Sequence, residues 1–232
     1  MFKILYEDKE IIIIDKSYNL IVNRINNKIN LISILNDYCP NLYKIYNNGL
    51  LHRIDKDTTG LLIISKSNFF YKKIHLDFLN KNNIKEYIAL VSGDLITGGK
   101  INIGIIRDKK KKLCMTFSKN EKKSITHYRI IKRFKLFTLI RLNIETGRTH
   151  QIRVHMKYIN HPIIGDYKYG KNISIFDKIH NFLNKNNIFI NRYLLHSNRL
   201  TIKHPTKNIF MTWKSEIPND IISFIYKVNE IL

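Results

Sequence analysis

Only two cysteines, Cys39 and Cys114, occur in 232 residues, and they stand far apart. Neither a disulfide framework nor a CxxC metal pair can be drawn from them, which fits a reducing cytoplasm. Long apolar runs are missing too, so no stretch approaches the ~20 residues a helix needs to span a bilayer. The N-terminus, Met1-Phe2-Lys3-Ile4-Leu5-Tyr6-Glu7-Asp8, places acid where a signal peptide has its apolar core. A cytoplasmic protein with no membrane partner is expected. Neither GxGxxG nor GxxxxGK[ST] occurs, so dinucleotide and nucleoside-triphosphate chemistry has no fingerprint here. Acidic residues are scarce: 18 Asp and Glu stand against 40 Lys and Arg, a formal net charge of +22. A field of that sign gathers polyanions, nucleic acid first among them. Ile, Asn and Lys are abundant throughout, the mark of an AT-rich coding sequence, so drift is an open source of part of the Lys excess.

What the chain does have is a folding composition: hydrophobic residues make up 44 %, in short, frequent runs. Segments 3–6 and 10–14 read as a hairpin. Residues 30–38 read as a helix ending before Pro40, 61–64 as a buried strand, and 67–80 as a helix opened by Ser67. Strands are expected at 86–92, 100–106, 113–117, 124–131 and 135–144, where Leu136, Thr138, Ile140, Leu142 and Ile144 share one face. A helix follows at 149–159. The stretch 171–190 reads as a loop around a short helix, 198–203 and 208–213 as strands, and an amphipathic helix follows Pro218. Hairpins outnumber helical crossovers, which predicts an α+β fold with a large mixed, mainly antiparallel sheet and flanking helices. No linker or repeat is visible, and residues 1–232 read as one domain.

Three segments carry candidate chemistry. In Leu51-His52-Arg53-Ile54-Asp55-Lys56-Asp57-Thr58-Thr59-Gly60, a polar loop runs into the buried strand and sets two acids among cations. Such a loop can hold a carboxylate at a cleft floor. It can equally be a turn whose Asp and Thr bond locally. In Thr146-Gly147-Arg148-Thr149-His150-Gln151-Ile152-Arg153-Val154-His155, Gly147 lets the chain leave a strand and Thr146 or Thr149 offers a helix cap. The crowded donors there suit a phosphate or carboxylate, or simply a surface helix. The spacing of His150, His155 and His161 matches no familiar metal pattern. In Lys85-Glu86-Tyr87-Ile88-Ala89-Leu90-Val91-Ser92-Gly93, Lys85, Tyr87 and Ala89 share a strand face, and a core tyrosine is the plain alternative.

These three segments, in this order, resemble the RluA family of pseudouridine synthases, with its HRLDxxTSGLLL-like, KxYxAxVxG-like and GRTHQIRVH motifs. The resemblance continues through His161-Pro162-Ile163-Ile164-Gly165-Asp166, Tyr169-Gly170, Leu194-Leu195-His196 and His204-Pro205. Within the family the chain is most similar to the RluD branch, whose members modify large-subunit ribosomal RNA. Thr97-Gly98-Gly99, Ser124–Ile130 and Leu142–Thr146 carry that likeness. Three departures stand out. The sequence is expected to start at the catalytic domain, without the branch's usual S4 module. Asp15-Lys16-Ser17 replaces Asn-Lys-Pro, and Leu20-Ile21-Val22-Asn23-Arg24 replaces a Val-His-Pro-Gly segment.

The resemblance implies isomerisation of uridine to pseudouridine in RNA, with no cofactor and no metal. It implies a monomer partnered by large-subunit ribosomal RNA or a ribosomal precursor. Asp55 is then the essential carboxylate, acting as a nucleophile on sugar or base or by assisting proton removal at the sugar. Arg153 is its guanidinium partner, and Tyr87 stacks on the uracil. Arg53 fills the space of the flipped base, while Ile152 and Leu195 wall the base. His52, Lys56, Arg148 and Lys109–Lys112 are candidate phosphate contacts. Two other readings stay open: a non-catalytic RNA-binding or ribosome-assembly factor, and a synthase acting on transfer RNA.

Overall fold

The computed structural model describes residues 2–22, 29–80, 82–111 and 113–231. Asn23 and Arg24 of the departing N-terminal segment, and Lys112 of the lysine run, lie outside them. The chain divides into two compact units. Unit 1 comprises residues 1–85 and 197–216, and unit 2 residues 86–196 and 217–232.

Unit 1 opens with the expected hairpin, β1 (Phe2–Glu7) and β2 (Ile11–Lys16), paired antiparallel. Asp8 closes its turn by accepting from the backbone N–H groups of Glu10 and Ile11 at 2.8 and 3.0 Å. Helix α1 (Leu31–Tyr38) begins at Asn30, whose side chain accepts from Ser33 N while the Ser33 hydroxyl accepts from Asn30 N. That reciprocal pair is a capping box. Two short 3-10 turns, Pro40–Lys44 and Tyr46–Gly49, follow. Strand β3 (Thr59–Ser65) lies antiparallel to β2. Ile11–Ile14 of β2 and Leu61–Ile64 of β3 are fully buried, so this part of the sheet is covered on both faces, as the unbroken apolar runs suggest. Ser67 caps α2 (Asn68–Leu79), accepting from Phe70 N at 3.2 Å. Strand β4 (Ile84–Ser92) leaves the unit. Strand β9 (Leu195–Lys203) returns to it and pairs antiparallel with β10 (Phe210–Lys214).

Unit 2 carries a five-stranded antiparallel arrangement in the order β4-β8-β7-β5-β6. Its strands are β5 (Gly99–Arg107), β6 (Met115–Ser118), β7 (Lys123–Arg133) and β8 (Phe137–Ile144). Helices α3 (Gln151–Tyr158) and α4 (Tyr167–Gly170) follow, then α5 (Ser174–Lys185) and α6 (Asn219–Asn229). The inner faces of α5 and α6, with Ile179, Leu183, Ile221, Phe224 and Val228, form one core with Ile88, Leu90, Phe137 and Leu139 of the strands. The α+β, mainly antiparallel expectation therefore holds in both units.

Two expectations need correction. The stretch 171–190 holds a helix of twelve residues, α5, because Phe176, Ile179, His180 and Leu183 recur at helical spacing and are buried. Strand β8 is also not one-sided throughout: Phe137–Ile140 are all buried, and alternation begins only at Arg141.

Left-handed backbone is taken mostly by asparagine. Among the described residues the positive-φ positions other than glycine are His150 and seven asparagines: Asn19, Asn47, Asn48, Asn160, Asn172, Asn187 and Asn208. Asn tolerates this region because its short amide can bond locally.

Candidate functional site

In unit 1, the loop 51–58 leads into β3 and carries His52, Arg53, Asp55 and Lys56 together. Its ends are anchored by the buried Leu51, Ile54 and Thr58. Thr58 N donates to the Asp55 carbonyl at 3.2 Å, closing a turn on the carboxylate residue itself. Asp55 is half-buried, while Arg53 and Lys56 are exposed.

Lys16 fixes this loop from beneath. Its side chain is 0 % exposed, and its ammonium donates to the carbonyls of Ser17, Leu20 and Lys56 at 2.9, 3.0 and 2.9 Å. Three carbonyl oxygens supply the hydrogen-bond acceptors that a buried ammonium would otherwise lack. Gly60 completes the local geometry. Its φ is +107°, and a Cβ there would meet the Ser197 carbonyl oxygen at 2.2 Å. Only glycine allows β3 and β9 to approach this closely directly behind the loop.

In unit 2, α3 holds Ile152 and Arg153, both buried. The Arg153 guanidinium donates through Nε and Nη2 to both oxygens of Asp166, at 2.6 and 2.9 Å. The side chains are 7 % and 1 % exposed, so this is a buried, bidentate pair. The guanidinium also lies 4.2 Å from the centre of the Tyr193 ring and 4.8 Å from that of Tyr169, within cation–π range. Burial pushes the Tyr169 hydroxyl up to about 12, so it stays protonated; it donates or accepts at His150 Nδ1, 2.6 Å away, and accepts from Met115 N at 2.9 Å. Tyr87 on β4 is buried, opposite Leu142 of β8, and Leu195 opens β9, also buried.

The donors crowded at 148–155 are mostly committed inside the fold. Gln151 Nε2 donates to Ile125 O and Thr126 Oγ1 at 2.9 and 3.0 Å, and its Oε1 accepts from Thr146 Oγ1 and Arg148 N at 2.8 and 3.1 Å. His155 is fully buried, with Nδ1 2.8 Å from Thr126 Oγ1 and Nε2 3.3 Å from Ile103 O. Burial pulls its imidazole down to about 4, so it is neutral near pH 7. The Arg148 and Thr149 side chains remain exposed. The expected threonine cap is not made. The helix begins after His150, whose φ of 54° and ψ of 22° are left-handed, and Thr146 bonds Gln151 instead. Gly147 has open space around it and no positive φ, so its lack of a side chain is not what turns the chain there.

Lys109–Lys111 are exposed, on a turn where Asp108 accepts from Lys110 N and Lys111 N at 2.8 and 3.1 Å. Among the described residues no group of three or more His, Cys, Asp or Glu could hold a metal ion, and no helix is long and apolar enough to cross a membrane. Sequence reasoning assigned no role to Lys16, Asp166, Tyr169 or Tyr193. Asp166 and Tyr169 do fall in the stretches that extend the family likeness.

The RNA pseudouridylate synthase family matches residues 10–158, and this chain belongs to it. Among its relatives is the ribosomal large subunit pseudouridine synthase D of Buchnera aphidicola subsp. Baizongia pistaciae, 39 % identical over 229 residues. The match covers 98 % of this chain and 72 % of the relative. The protein of that name from Salmonella typhimurium is 35 % identical over 230 residues, covering 96 % and 69 %. The solved structure of human RNA pseudouridylate synthase domain containing 4 has the same fold, with a TM-score of 0.76 at 22 % identity, covering 97 % of this chain and 92 % of that one.

Proposed function

We propose that this chain converts uridine to pseudouridine in large-subunit ribosomal RNA, with Asp55 as the essential carboxylate and no cofactor. The reading is carried by the near full-length likeness to relatives named for that activity, joined to an Asp55 loop that keeps the family's motif. A net charge of +22 suits a phosphate-rich substrate.

The reaction breaks the N1–C1′ bond, turns the uracil, joins C5 to C1′ and releases the C5 proton. Its atoms balance without an electron donor or activated group. Asp55 acts either as a nucleophile on sugar or base or in proton removal at the sugar. Tyr87, Arg153 and Asp55 are assigned to one reaction: the tyrosine ring to the uracil face, worth about 1–3 kcal/mol of stacking, and the guanidinium to the ionised acid. Ile152 and Leu195 are assigned to the wall around the base. Extruding the uridine costs a few kcal/mol, and Arg53 is assigned to the vacated space. His52, Lys56, Arg148 and Lys109–Lys111 are assigned to phosphates. The chain is read as a monomeric, single catalytic domain of the cytoplasm.

The test is pseudouridine formation on uridine-containing RNA by the wild type and by Asp55→Ala. Loss of product with RNA binding retained supports the assignment, and an unchanged rate removes Asp55 from it. Mapping pseudouridines in ribosomal and transfer RNA with and without the protein decides the target. Rescue of a ribosome-assembly defect by Asp55→Ala would favour a non-catalytic factor.

A further inference from the structure

One lysine in unit 1 has nothing to bind. Lys85 is 7 % exposed, and its ammonium has no hydrogen-bond acceptor and no carboxylate among the described residues. It lies over the ring of Phe78, with Nζ 4.8 Å from the ring centre. His52, from the Asp55 loop, leans on the same phenyl ring at 5.8 Å between centroids. The His52 Nε2 is buried and also lacks a partner. Two polar groups from distant parts of the sequence thus converge on Phe78 of α2: a buried imidazole nitrogen without a partner, and a mostly buried ammonium that bonds no acceptor among the described residues.

The contrast with Lys16 is instructive. That lysine is buried more deeply, at 0 % against 7 % exposure, and three carbonyls surround its ammonium. A mostly buried ammonium without such a cage is costly, and an acceptor supplied from outside the chain would relieve that cost. With no carbonyl cage around it, the ammonium is best met by an acceptor that brings negative charge as well as lone pairs, and a single charge suffices. Placement narrows it further. His52 stands three residues before Asp55, and Lys85 two residues before Tyr87 on one face of β4. We propose that Lys85, with His52 beside it on the Phe78 ring, seats one phosphodiester group of the substrate RNA. This rests on the RNA-modifying reading above and adds to it a specific backbone contact. A neutral uracil carbonyl could also accept from the amine but would leave the charge uncompensated.

The geometry also explains why the site should be held ready. The phenyl ring offers its negative face to the ammonium, a weak hold that a phosphate oxygen readily supersedes. A neutral imidazole spares the free site a second charge beside the Lys85 ammonium and can still donate one N–H to a phosphate oxygen. Burial, with the Lys85 charge adding to it, pulls the His52 imidazole down to about 3.

Binding of a uridine-containing single-stranded RNA is measured at several salt concentrations for the wild type, Lys85→Met and Lys85→Arg, alongside thermal unfolding of each free protein. A phosphate contact predicts that Lys85→Met binds about tenfold more weakly and that its log K against log [salt] slope shrinks by about 0.7. Lys85→Arg should keep the slope. Lys85→Met should also melt no lower than the wild type, because it removes a buried, unpaired charge; a merely structural lysine would instead melt lower. RNAs with a neutral methylphosphonate at single linkages locate the group: one linkage should weaken wild-type binding and leave Lys85→Met unaffected. If Lys85→Met keeps the wild-type slope, or stays sensitive at every linkage, the proposal is overturned. A weakened Lys85→Met with an unchanged slope points to the uracil carbonyl and overturns it too. These are binding measurements, so they stand apart from whether pseudouridine is formed, which the Asp55 test reads separately.

Discussion

Arg153 is clamped by Asp166 through two parallel hydrogen bonds, thirteen residues along the chain, in a nearly dry setting. The fork matches a carboxylate edge to edge, so the guanidinium plane is fixed by Asp166 and by the faces of Tyr169 and Tyr193. Asp166→Ala removes that partner from a buried cation and is expected to cost about 3–5 kcal/mol in urea unfolding. Arg153→Lys keeps the charge but not the fork. It should lose stability and lower the rate of pseudouridine formation more than it weakens RNA binding.

Lys16 offers a second, independent handle on the Asp55 loop. Lys16→Met keeps the length of the side chain and removes the donor from three carbonyls, one of them in the residue after Asp55. A loss of about 1–3 kcal/mol is expected. Because the Lys56 carbonyl is released, amide hydrogen exchange should quicken at 55–58 ahead of the rest of β3. Uniform exchange across the unit would count against a local role.

Gly60→Ala should be among the most damaging small substitutions in the chain. A methyl group would stand 2.2 Å from the Ser197 carbonyl oxygen, on backbone of φ +107°. Strain of this kind costs about 1–3 kcal/mol before any separation of β3 from β9. The melting temperature is expected to fall accordingly, while Gly147→Ala, which meets nothing within 4 Å, should leave it nearly unchanged.

The buried histidines set an acid limb. His155 is pulled down to about 4 and His52 to about 3, both chiefly by burial, against about 6.5 in the unfolded chain. Between those values the unfolded state binds more protons, so stability is full above about 6.5 and is lost as pH falls. Each group contributes at most about 1.4 kcal/mol for each pH unit. Urea midpoints measured from pH 7 to pH 4 should decline, and His155→Gln should flatten part of the slope. Lys85 works in the same sense at the other end. Burial lowers it to about 8 from 10.5, so the free protein should gain stability between those pH values, and Lys85→Met should remove the gain.

What could be read in advance was what is local. The Asp8 turn, the Ser67 cap and the apolar runs of β2 and β3 act within a few residues, and each appears where its pattern predicts. The start of α3 was not legible, because it is set by the left-handed backbone of His150 and not by a side-chain cap that a sequence pattern announces. Nor was the role of the donors that follow. Gln151 and His155 look like surface groups in sequence, yet their partners Thr126 and Ile103 lie 25 and 52 residues away. Only the folded β5 and β7 reveal that these side chains are structural. The converse holds for Lys85, where the sequence suggested a strand face and could not show that the fold would leave its ammonium without an acceptor.

The seven asparagines at left-handed positions have an evolutionary reading. Glycine, the residue best suited to such backbone, is spelled by GC-rich codons, and asparagine by AT-rich ones. A gene drifting toward A and T can thus exchange one for the other at turns and helix ends while the chain path survives. That exchange is closed at Gly49 and Gly60, where a Cβ would stand 2.1 Å from the Ser65 carbonyl oxygen and 2.2 Å from that of Ser197, so a turn can take asparagine where the backbone is open and must keep glycine where another strand presses against it.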